Sequence, residues 1–514
     1  MRFFSMNSGH AYARLVQAGA AVVAAALIAG CGNAYRPVVT PINPSGPASQ
    51  PASYAVVVSA PSPTTPGIAT IIDYAGDTVM AEAPIGPGPS SFTMDELSSN
   101  GYTVNSDGTL TNFPITTSLQ AKMVTYTTLP AKAAPVNLYS PSNGLWAADL
   151  NGNNADIFGG SPQTLQLAIP VGITPVTIAG SGISTGQRNY AISQNFDAPS
   201  GGNPNGVACN VSPRTAPNGS ATAIELSSET PDTPPIALGK CPVYGLQSND
   251  NKRLFVLNRG DDTITVINAQ NNTLDGLFDA NGKCVPFVSQ AGQTVTCHPT
   301  LPLSTSAVTA TGVTPPNGTS GMPSIAGPVY AEYNAATNQL VVADYDGGTI
   351  SIIDVSLDEY GNDSATFGTT YTVPVGKNPA SVTVLYDGSR AYSANQNDGT
   401  VTIVNLSSHT VEKTLTVVGH PRTVASTQNS LYGKVYVVSP DSPYLTILRT
   451  DQDIVDTTVL VQGNIVDARV TTQNGTSGNA NFSSRSPGHG QPCYLPPSLL
   501  TPANTTLASC QLLP

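Results

Sequence analysis

The side chains able to do chemistry are few and widely spaced. The histidines are His10, His298, His409, His420 and His489, and none sits in an H-E-x-x-H or other metal-ligand spacing. The cysteines are Cys31, Cys209, Cys241, Cys284, Cys297, Cys493 and Cys510, without the close C-x-x-C pairs that zinc sites favour. Cys297-His298 is not a haem-attachment motif, and neither a G-x-S-x-G elbow nor a phosphate-binding glycine loop occurs. The paired acids Asp261-Asp262 and Asp451-Gln452-Asp453 fall where turns are expected, and solvated turn carboxylates are ordinary. Local motifs therefore assign no catalytic residue, no metal and no cofactor.

Cys31 stands apart from the other cysteines. Arg2 and Arg14 precede the apolar run LVQAGAAVVAAALIAG, which is shorter than a spanning helix and ends in small residues, the pattern of a cleaved export signal. Ile28-Ala29-Gly30-Cys31 resembles a bacterial lipoprotein lipobox. The resemblance implies a signal peptide over 1–30 and lipid on Cys31 as the mature N-terminus, a bilayer anchor; Gly32 then implies outer-membrane or cell-surface sorting. Residues 31–51 are rich in proline and read as a tether, extended at about 3.1 Å per residue. The remaining six cysteines, an even number in an exported chain, suggest disulfides, and proximity favours 209–241, 284–297 and 493–510.

Composition narrows the partners. With 20 Lys plus Arg against 32 Asp plus Glu and a formal net charge of −12, no basic stripe is available for a phosphate backbone, so nucleic acid is excluded. The 47 Gly and 44 Pro, with only 10% charged residues, favour turns and strands, while 40% hydrophobic residues suffice for a packed core.

The elements that would position any site come from a repeat. GTVTIVN at 399–405 recurs as GIATIID (67–73), GTLTNFP (108–114), GSATAIE (219–225), DTITVIN (262–268), GTISIID (348–354) and PYLTILR (443–449). Each keeps a hydroxyl at the fourth place: Thr70, Thr111, Thr222, Thr265, Ser351, Thr402 and Thr446. Alternation of this kind is the period of a half-buried strand. Another strand precedes it, as in RNYAIS, RLFVLN, QLVVAD, RAYSAN and KVYVVS, and a fourth follows, ending in Gly and then Pro, as in YTVPVGKNP. Four antiparallel strands at a period of roughly 40–45 residues predict a β-propeller.

The motifs VYVVS, AYSAN, TVTIVN and TISIID are similar to those of the YVTN-type β-propeller repeat family, clearly over about 240–470 and more weakly over 52–240. The fold class expected is all-β, a propeller of seven or eight four-stranded blades, with eight the better count. Seven complete units begin near 86, 133, 173, 240, 323, 377 and 419; strands at 54–59, 67–73 and 78–85 would pair with NIVDARVTT (464–472) as the eighth and close the ring. The propeller is expected over 52–473, with insertions at 197–218 and 280–322 and a tail at 474–514 carrying Cys493 and Cys510.

The Gly-x-Pro connections enter each innermost strand, so Lys240, Lys377, His420 and Arg422 are expected near one mouth of the central channel. There they could hold a carboxylate or phosphate. The function expected is that of a lipid-anchored extracytoplasmic propeller, non-catalytic and monomeric, binding an envelope protein or polymer. The alternative is a metal-dependent hydrolase of propeller-lactonase type, with carboxylates and Asn at the channel polarising a lactone carbonyl.

Overall fold

The computed structural model describes residues 54–471, apart from 141–143, 181–186, 196–213, 304–324, 427–432 and single positions at 96, 132, 215, 249 and 291. Alternating apolar and hydroxyl residues give strands throughout, and these assemble into eight antiparallel sheets, here blades I to VIII. Blade VII shows the pattern: Pro379–Val384 is innermost, followed outward by Arg390–Asn395, Thr400–Asn405 and Thr410–Thr416. The eight innermost strands are Asn464–Val470 (I), Ser91–Met94 (II), Pro135–Tyr139 (III), Ile173–Ala179 (IV), Pro242–Gln247 (V), Pro328–Asn334 (VI), Pro379–Val384 (VII) and Thr423–Ser426 (VIII). Each lies against the next, and VIII lies against I, so the ring is closed.

Blade I joins the two ends of the described chain, as the sequence leads one to expect. Tyr54–Ala60 pairs with Pro66–Asp73 on one side and with Asn464–Val470 on the other, with Val57 opposite Ala468. Blade I thus closes the ring by pairing strands from the two ends of the described chain.

The repeated hydroxyl has a defined partner. It is buried in all seven copies, and in four of them an Asn or Asp at the end of the preceding strand bonds it: Asn105 Nδ2 to Thr111 Oγ1 (2.7 Å), Asn258 Nδ2 to Thr265 Oγ1 (2.8 Å), Ser351 Oγ to Asp344 Oδ2 (2.7 Å) and Asn395 Nδ2 to Thr402 Oγ1 (2.8 Å). The glycine before the next blade packs on the same side chain. A Cβ on Gly86, Gly239 or Gly376 would come within 3 Å of Asn105, Asn258 or Asn395 respectively, which ties the Gly-Pro stop to the strand-end Asn.

Blade III breaks the rule. Its third strand, Asn154–Gly159, places Asp156 at the hydroxyl position, opposite Ala147 and two residues along from Asp149. Blade V differs on its outer side. The fourth strand is divided between Thr273–Leu274 and Thr300–Pro302, both paired with Thr263–Asn268. Between them lies a small ribbon, Phe287–Val288 against Thr294–Val295, stapled by the Cys284–Cys297 disulfide. The expected strand-free insertion at 280–322 is thus described as far as 303, and that part carries strand.

Candidate functional site

Three of the four side chains singled out in the sequence occupy equivalent positions at the entries to blades V, VII and VIII. The backbone N–H of Lys240, Lys377 and His420 each donates to the turn aspartate 21 residues on: Asp261 Oδ2 (2.6 Å), Asp398 Oδ2 (2.7 Å) and Asp441 Oδ1 (2.8 Å). Lys377 and His420 are exposed and Lys240 half-buried. The His420 imidazole also pairs with Asp441 at 2.6 Å. Arg422 does not join them at the surface. It is 4% exposed, donates from Nη2 to the Val466 carbonyl, and burial lowers its pKa despite nearby Asp467. Among the expected disulfides, 284–297 is present and Cys241 is disulfide-bonded to a partner outside the described residues. Cys31, Cys209, Cys493 and Cys510 lie outside the described residues.

The innermost strands carry only two carboxylates, Glu332 and Asp467. Glu332 Oε2 accepts the Val384 backbone N–H of the next blade at 2.5 Å, and Asp467 is buried against Arg469 at 3.2 Å. Other side chains do the same work: Asn137 Oδ1 accepts from Ile178 N–H (3.1 Å) and Ser381 Oγ from Val424 N–H (3.2 Å). Polar groups here satisfy the inward backbone edges that the ring buries. Tyr244 and Tyr330 pack with ring centroids 4.9 Å apart.

Farther out, a cation opening the second strand bolts four blades to their neighbours. Arg188 reaches the Ala269 carbonyl (3.2 Å), Arg390 pairs with Asp453, and Lys434 pairs with Asp77 (2.6 Å). The fourth, Arg253, is elaborated. It pairs with Asp363 of blade VI at 2.8 Å and with Asp275 of its own blade at 2.9 Å, and His298 Nδ1 lies 2.6 Å from Asp363 Oδ2. All three acids and bases are held from below. Asp275 N–H donates to the Val266 carbonyl and Val266 N–H to the Pro299 carbonyl, both at 3.0 Å, so both ends of the insertion are tied to one residue. Asp363 sits on a loop turned by Asp358, whose Oδ1 accepts from Tyr360 and Asn362 N–H at 2.9 Å. The His298 ring rests on Phe367 at 5.1 Å.

The electrostatics separate the two carboxyls. Burial and a hydrogen bond to Asp363 push Asp275 well above the usual carboxylate range. Burial opposes the Asp363 anion too, but bonds from His298, Asp275 and Arg253 hold it below that range. A polar cavity of about 150 Å³, lined in part by Arg253, Lys252, Asp250, Tyr333 and Asp358, adjoins the cluster. Sequence reasoning missed this constellation because its members come from separate loops; the only signal was the doubled gap between two repeats, with a cysteine pair and His298 inside it.

No family model matches the chain, and no curated protein matches it. Among solved structures it is similar to AztD from Citrobacter koseri, in its apo form at TM-score 0.52 and 11% identity over 82% of this chain and 99% of that one. A second AztD structure from the same organism gives 0.52 and 10% identity, covering 81% and 97%. A candidate 6-phosphogluconolactonase from Bacteroides fragilis gives 0.45 and 13%, covering 83% and 99%. At such identities the likeness extends to architecture, and the chain is an eight-bladed β-propeller.

Proposed function

We propose that this chain is a propeller of the YVTN type, lipid-anchored through Cys31 outside the cytoplasm, which acts as a non-catalytic binding or scaffold module of the cell envelope. One observation carries the non-catalytic reading: both carboxylates of the innermost strands already have partners, Glu332 on the Val384 N–H of the next blade and Asp467 on Arg469 of its own strand. A lactonase-type channel needs carboxylates free to take a metal and polarise a carbonyl. The disulfide at Cys284–Cys297 supports an oxidising compartment. Exposed Lys377, and half-buried Lys240 in the equivalent position, offer positive charge to an anionic envelope partner.

The test has two arms. Cell fractionation after globomycin treatment, or of Cys31→Ser, should release the protein from membranes or leave an unprocessed precursor; unchanged fractionation removes the anchor. Purified protein given simple lactones with calcium, magnesium or zinc should show no turnover, and metal-dependent hydrolysis would establish the enzyme instead.

A further inference from the structure

The cluster at Arg253 differs from the other three bolts. Arg390 and Lys434 each meet one carboxylate, and Arg188 meets Glu225 and Asp232 without an imidazole. Only between blades V and VI do two carboxylates and a histidine place one ligand atom each within 4.8 Å of one another, and among the described residues this is the one such grouping. We propose that Asp275, His298 and Asp363 form a binding site for a divalent first-row metal ion, on the flank of the ring and apart from its channel.

The donor set is one imidazole nitrogen and two carboxylate oxygens, which suits zinc and its neighbours better than calcium or magnesium, whose sites are built from oxygen alone. Ligands about 2.0–2.2 Å from a tetrahedral ion stand roughly 3.4 Å apart, so the three atoms must draw together by side-chain rotation while the backbone stays in place. His298, with a side chain 25% exposed against 3% and 2% for the two acids, marks the side from which an ion enters. Arg253 stays on Oδ1 of both acids and orients them, as hydrogen-bond partners of ligands do around bound metals. As the ion enters, a proton held by either carboxyl leaves to solvent, and two carboxylates then balance its charge. The Cys284–Cys297 staple, one residue before His298, limits how far the imidazole strays from the acids.

The test uses the mature chain stripped with a chelator, zinc titration by calorimetry, and native mass spectrometry. One zinc per chain is expected, with Asp275→Asn and His298→Ala each weakening it at least tenfold. His420→Ala, whose imidazole already pairs with Asp441, should leave it unchanged. Absence of binding, or binding equal to wild type in both variants, overturns the site. Should the variants misfold, X-ray absorption of the zinc-loaded wild type decides: one imidazole with otherwise oxygen ligands supports the site, and sulfur or several imidazoles contradict it.

Discussion

The Tyr54 backbone N–H donates to the Thr471 hydroxyl at 2.8 Å, and Thr471 N–H donates back to the Tyr54 carbonyl at 2.9 Å, across 417 residues of sequence. This exchange is the last rung of the seam that closes the ring. The seam's apolar side is Ile465, fully buried with Tyr436, Leu445 and Ile447 of blade VIII.

Closure makes a mutation at the seam felt far away. Ile465→Ala should cost about 2–4 kcal/mol, and the loss should shift the urea transition of Trp146, the chain's one tryptophan, buried in blade III. A seam that merely frays would lower protection near residue 465 and leave the Trp146 midpoint where it was.

The hydroxyl–Asn pairs should each stabilise a blade. In blade VII, Thr402→Val leaves one donor of the buried Asn395 amide without its 2.8 Å acceptor. The expected loss is about 1–3 kcal/mol by chemical denaturation. A change within a few tenths would mean that the repeated hydroxyl only fills space.

Asp156 gives the protein a pH dependence of known sign. Burial, then the charge of Asp149, pushes its pKa up from 3.8 to about 7. Between those values the folded chain holds a proton that the unfolded chain has released, so this group's contribution falls as pH rises from 4 to 7 and is fully unfavourable above 7. Asp156→Thr, which restores the hydroxyl of the other blades, should flatten that slope and raise stability at pH 8 by on the order of 1–3 kcal/mol. Equal stability of variant and wild type at pH 8 would argue that Asp156 is ionised at no cost.

The inter-blade bolts should matter more than surface ion pairs. Asp453 takes both Arg390 and the Tyr392 hydroxyl of the neighbouring blade. Asp453→Ala takes the acceptor from the Tyr392 hydroxyl and leaves Arg390 with the Thr450 carbonyl, and should cost about 1–3 kcal/mol. A loss below about 0.5 kcal/mol, the scale of an exposed pair, would contradict that role.

Much of this architecture was legible because the repeat writes the same physics many times. The period-two pattern and the fourth-place hydroxyl fall on every copy from Thr222 to Thr446, the Gly-to-Pro stop follows Thr222, Ser351 and Thr402, and the spare strand at 464–470 announced the seam. Blade III was harder to see, because Asp156 stands where the hydroxyl belongs and Asn154–Gly159 does not match the register. The site was nearly invisible. Asp275, His298 and Asp363 acquire meaning only when Val266 gathers both ends of an insertion and Arg253 crosses to the next blade, contacts that no spacing along the chain encodes. Likewise Arg422 read as a channel-mouth cation, yet it is buried and donates to the Val466 carbonyl of the closing strand.

The measurement that bears most directly on the envelope-module account is the intact mass of the mature chain extracted from membranes. The account predicts a chain beginning at Cys31 and carrying diacylglycerol on its sulfur and an acyl group on its amine. A chain that begins elsewhere, or a Cys31 without lipid, would contradict it.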